Sequence, residues 1–183
     1  ALPAKVSGLT CEVRSAGGVS PVPVIVVNAE HNLERRRLTI AHELAHRVIE
    51  ETSPLEVEKA AMRFAGAFLM PADHLRGRVG MRRHAFAREE LIELKHLYRV
   101  SGAAMIVRLE QLGVIEPPTR TYLFRTMAKR WRTEEPAPID DEDAEKAHRF
   151  RRLCYRALGE DLISASRAAE LMRLPLATLR EQL

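Results

Sequence analysis

The sequence predicts a mainly helical α+β fold: a small N-terminal β-sheet packed on a helical hairpin, followed by further helices. Three observations predict it. Apolar residues recur at helical spacing through most of the chain from Leu33 onward. Strand character is concentrated near the start, in Val22 to Val27. Of the 183 residues, 46% are hydrophobic and 30% charged, a balance that builds a packed core and excludes global disorder.

Residues 1–21 are turn-rich, with Gly17-Gly18 as a hairpin candidate. Pro21 and Pro23 suit the first residues of a strand or an edge strand, and Asn28 ends the run. A helix is expected over about 33–50, with Leu38, Ala41, Leu44, Ala45, Val48 and Ile49 on its apolar stripe. The next helix has start signals: Ser53 as N-cap, Pro54 at the first position, Glu56 closing a capping box. It carries Leu55, Ala61, Met62, Ala65, Phe68 and Leu69 and stops before Pro71. Helical patterns return at 86–98 and 102–112, the second between Ser101 and Gly113. An extended piece is expected near Thr121 to Phe124, and two last helices over 142–158 and 166–182.

Residues 133–143 are acidic and hold two prolines, which marks a linker. The expected organisation is one domain over 1–127, a linker over 128–141, and a helical regulatory or partner-binding segment over 142–183. Two distant cysteines, Cys11 and Cys154, argue against a disulfide framework and suit a reducing compartment. The chain opens on Ala1 rather than Met, as a trimmed chain would, and no stretch reads as a leader or a membrane span. A net charge of +4 with scattered arginine clusters suits an acidic partner or nucleic acid, although each cluster alone reads as solvated surface.

The chemistry lies in His42-Glu43-Leu44-Ala45-His46. Two histidines four residues apart share one helix face and can reach one zinc ion, and Glu43 projects where it can take a proton from water activated there. A catalytic zinc needs a third protein ligand. With a turn of about three residues between them, the two helices form an antiparallel hairpin. His46 then lies ~6 Å before the end of its helix and Glu58 ~6 Å after the start of the next, so they are level. Glu58 is the expected third ligand; its alternative is an exposed carboxylate beside Lys59. Glu56 is the rival ligand, disfavoured by its cap position.

The run Arg35-Arg36-Arg37-Leu-Thr-Ile-Ala-His-Glu-Leu-Ala-His, followed by Glu58-Lys-Ala-Ala-Met-Arg-Phe-Ala-Gly-Ala-Phe-Leu-Met-Pro71, resembles the ImmA/IrrE family of zinc metallopeptidase-like regulators. Tyr98 to Gly113 is also similar, and the likeness covers about residues 7–127. The resemblance implies an intracellular protein with a gluzincin-type site, His42, His46 and Glu58 holding Zn2+ and Glu43 as general base. It also implies a helix-turn-helix repressor as partner, cleaved or antagonised, often under stress. One departure stands out: the family usually has Asn or Asp where this chain has Met62, level with His42, so the imidazole would lack a polar support. His74, His84 and Tyr98 are uncommitted candidates for a transition-state donor. The alternative reading is a non-catalytic regulator that binds DNA through helix-turn-helix-like segments at Leu91–Val114 or Leu162–Leu179.

Overall fold

The computed structural model describes residues 2–3, 5–14, 20–50, 53–139 and 148–181. The Gly17-Gly18 turn, the end of the acidic stretch and the first residues of the helix expected from 142 lie outside them. Two strands and nine helices are found among the described residues. The chain divides into two compact units, Ala1–Asp140 and Asp141–Leu183. Among the described residues, no helix is long and apolar enough to cross a membrane.

In the first unit, β1 (Gly8–Val13) pairs antiparallel with β2 (Val22–Val27), in a register that sets Gly8 opposite Val27 and Val13 opposite Val22. Pro23 is tolerated because a two-stranded sheet consists of edges. Asn28 ends β2 by burying its amide, which donates to the carbonyls of Pro3 (3.3 Å) and Val6 (3.0 Å).

The helix α1 (Leu33–Val48) starts at Asn32, whose side chain accepts from the Arg35 amide at 3.0 Å. It ends at Ile49 and turns back into α2 (Pro54–Leu69). Ala41 and Ala45 on α1, and Ala61 and Ala65 on α2, are all buried. Small residues on both helices allow a close interaxial approach. Ser53 is the N-cap of α2 and Pro54 opens the helix, but the expected capping box does not form. Glu56 instead pairs with Lys59 at 2.8 Å, one turn along the exposed face.

The helices α3 (Ala72–Val79), α4 (Arg88–Tyr98), α5 (Gly102–Gln111) and α6 (Pro117–Arg125) surround the main core, which includes Leu75, Leu91, Met105, Ile106, Leu109, Ile115 and Leu123. Ser101 caps α5 by accepting from Ala104 N, and Gly113 follows it at φ +70°. The extended piece expected at Thr121 to Phe124 is helical: Pro117 presets the first turn of α6 and Leu123 turns into the core.

The segment expected to begin a linker at 128 packs into this unit as far as it is described. Ala128 and Trp131 join the core, and Glu135 reaches the buried Lys95 at 3.3 Å. Lys95 also meets Glu34 of α1 at 2.8 Å, with both side chains fully buried. Glu34 accepts from the Ile139 amide at 3.0 Å as well, so one buried cluster fastens residues 135–139 to α1 and α4.

In the second unit, α7 (His148–Gly159), α8 (Ala165–Met172) and α9 (Leu176–Glu181) enclose a small core of Ala168, Ala169 and Leu179. The single helix expected over 166–182 is two helices. Arg173 adopts a left-handed conformation at φ 53°, and Pro175 cannot continue the hydrogen-bonding pattern of α8.

Candidate metal centre

The hairpin brings three Lewis-basic side chains to one point. On α1, the Nε2 atoms of His42 and His46 lie 3.1 Å apart, with their rings edge to face at 83°. On α2, the Glu58 carboxylate stands 3.2 Å from His42 Nε2 and 3.5 Å from His46 Nε2. The two imidazoles are mostly buried and Glu58 is 61% exposed, so the cluster opens to solvent on the Glu58 side. This is the one group of His, Cys, Asp or Glu that could hold a metal ion among the described residues.

The donor set fits zinc. Ligands at about 2.0–2.1 Å in a tetrahedron are separated by about 3.3–3.4 Å. The three observed separations, 3.1, 3.2 and 3.5 Å, bracket that edge length. A shared cation would satisfy all three atoms at once, whereas one proton can serve only one pair. Three protein donors also leave a fourth position for water or substrate.

Strand β1 is fastened along α1, with contacts that advance in the same direction on both. Arg35 donates to Ser7 Oγ at 2.8 Å, and Arg47 pairs with Glu12 at 3.1 Å. Between these, Gly8 touches the helix. A Cβ at Gly8 would stand 2.5 Å from Thr39 Cγ2, 2.8 Å from Val26 O and 3.6 Å from Glu43 Cγ. Glycine therefore permits the close approach of β1 to α1, beside the stem of Glu43. An isolated glycine at the start of a strand is the sequence signal for such an approach.

The structure brings together His42, His46 and Glu58, with Glu43 on the same helix, and leaves Glu56 outside on Lys59. Of the uncommitted donors, His74 Nδ1 and Tyr98 Oη lie 2.7 Å apart and pair with each other. Burial pushes the Tyr98 phenol above its usual pKa, against the opposing charge of Arg78. His84 is exposed on the loop before α4. Met62 is half exposed and lines a groove with Leu38 and Arg35. His42 Nδ1 is buried and makes no hydrogen bond among the described residues.

A His-Glu-x-x-His helix with a carboxylate supplied by the next helix defines a metallopeptidase-like protein. A family model described as the IrrE N-terminal-like domain, of the M78 peptidases, matches residues 9–110, and the chain belongs to that family. A comparison with curated proteins gave no match, and neither did one with solved structures.

Proposed function

We propose that this chain is an intracellular, zinc-dependent metallopeptidase-like regulator that cleaves or antagonises a helix-turn-helix transcriptional repressor, as part of a stress response. The observation that carries the reading is the convergence of His42, His46 and Glu58 at 3.1–3.5 Å on a helix that also carries Glu43. Family membership over residues 9–110 supports the same class.

His42, His46 and Glu58 would hold the ion. Bound zinc supplies Lewis acidity to a scissile carbonyl and lowers the pKa of the attacking water towards about 7. The protein's own work then falls to Glu43. Its carboxylate takes the proton of the attacking water and returns it to the leaving amine. The stem that carries this carboxylate lies beside Gly8, where β1 bounds it on one side. The exposed side of Glu58 gives a polypeptide access to the cluster.

The test is Glu43→Gln in purified protein mixed with its partner repressor. Cleavage should fall by about 10²–10⁴-fold while zinc is retained. Wild-type cleavage by the zinc-loaded variant would remove Glu43 from the mechanism.

A second reading is a non-catalytic regulator that binds DNA or a protein partner. It draws on α8 and α9, joined by the three residues Arg173, Leu174 and Pro175, a turn length that helix-turn-helix units use. Salt-dependent DNA binding by the full chain that survives removal of the metal would favour it.

A further inference from the structure

A groove of about 600 Å³ lies along the hairpin, its nearest lining residues, Leu38 and Met62, one helical turn from His42 and Glu58. On α1 it is lined by Arg35 and Leu38, which precede His42 on the same face. On α2 it is lined by Met62 and Gly66, one and two turns beyond Glu58. The far wall is α5, with Arg108, and the segment that carries Arg132. The groove therefore extends the face that bears the three donor atoms.

Three arginines line this groove, and among the described residues none of their guanidinium groups meets a carboxylate. Arg35 donates to the hydroxyl of Ser7. Arg108 donates to Met70 O at 3.1 Å and lies against Gly66, where an added Cβ would stand 3.7 Å from its Cδ. Arg132 lies over the Phe124 ring at 4.6 Å. Each guanidinium has five N–H donors, so all three keep free ones. The one carboxylate lining the groove, Glu135, is already engaged by Lys95 and the Gly102 amide. Burial and the neighbouring Arg76 hold the Arg108 pKa below its usual value, the mark of a cation without an anion beside it.

We propose that this groove is a specificity subsite for an acidic side chain of the polypeptide that the metal cluster acts on, with Arg35, Arg108 and Arg132 pairing its carboxylate. The inference rests on the peptidase reading above. Geometry also sets the spacing. Gly66, beside Arg108, lies ~12 Å along α2 from Glu58, and Arg35 lies ~10 Å along α1 from His42. An extended chain advances ~3.3 Å per residue, so the Asp or Glu sits about three to four residues from the bond at the cluster.

The test uses the full-length Glu43→Gln protein, zinc-loaded, on an array of short random-sequence peptides, each present in a Glu and a Gln version. Glu versions should be retained about ten-fold or more over their Gln counterparts. The preference should fall towards unity in Arg35→Gln and Arg132→Gln, whose side chains are exposed and whose folding is checked by melting beside the parent. It should fall also in Arg108→Gln. Equal retention of Glu and Gln versions, or an acid preference untouched by all three substitutions, would overturn the assignment. The same peptides given to the wild type and read by mass spectrometry separate the two claims. Acid-dependent retention without any cleavage removes the peptidase reading and leaves the groove standing. Cleavage without an acidic residue at the stated spacing removes the groove alone.

Discussion

The Glu58 carboxylate stands 3.2 Å from His42 Nε2, although the two residues belong to different helices. The other ring nitrogen of His42, Nδ1, is buried without a hydrogen bond among the described residues. A metal-bound imidazole normally donates its second N–H to a carboxylate or carbonyl, and loss of that partner weakens metal binding about 10–100-fold.

Met62→Asn should therefore tighten zinc by about ten-fold. Helix rise places position 62 level with His42 across the hairpin. Competition against a chromophoric chelator measures the change. Unchanged affinity would mean that Nδ1 is beyond the reach of position 62.

Gly8→Ala should destabilise the fold by about 1–3 kcal/mol, the usual range for overpacking. The new methyl meets Thr39 Cγ2 and the backbone oxygen Val26 O below 3.0 Å, and a backbone atom cannot yield as a flexible side chain can. The urea midpoint should drop while the slope holds. A midpoint equal to wild type would show that β1 can move off α1 at no cost.

Lys95→Met should cost about 3–5 kcal/mol, because it leaves Glu34 buried without its cation. Adding Glu34→Leu to the same chain should recover part of the loss, which a urea double-mutant cycle would show. Strict additivity of the two substitutions would contradict the pairing.

Glu135 sets a pH dependence. Burial raises its pKa above the usual carboxylate value, against the Gly102 amide and Lys95, which lower it. The folded state thus binds this proton more tightly than the unfolded chain. Its contribution is full below the ordinary carboxylate pKa and is lost as pH rises through the raised value. Glu135→Gln keeps an acceptor for Gly102 N and removes the titration. Its stability should fall less steeply than wild type as pH rises from about 4.5. Parallel stability–pH curves would show that Glu135 titrates normally.

The histidine-bearing helix α1 was legible in the sequence because both of its signals are local: an i, i+4 histidine pair and an apolar stripe of helical period. That Glu58 stands level with the two histidines was legible because a short turn makes register across a hairpin calculable. Three features were not. The break between α8 and α9 depends on one left-handed residue, Arg173, and a proline, inside an apolar pattern that continues on either side. At Thr121 to Phe124, β-branched and aromatic residues suggest a strand, but Pro117 and the burial of Leu123 decide for helix. The acidic stretch reads as a spacer by composition, yet Glu135 folds back onto a lysine forty residues earlier in the chain. Long-range ion pairs of that kind leave no periodic trace.

Metal content decides whether His42, His46 and Glu58 form a zinc site. Full-length protein purified without chelator, then measured by elemental analysis beside Glu58→Ala, should carry one zinc per chain, and the variant should lose it while melting as a folded protein. A wild type without stoichiometric metal after zinc loading, or a Glu58→Ala variant that binds zinc as tightly as wild type, would contradict the account.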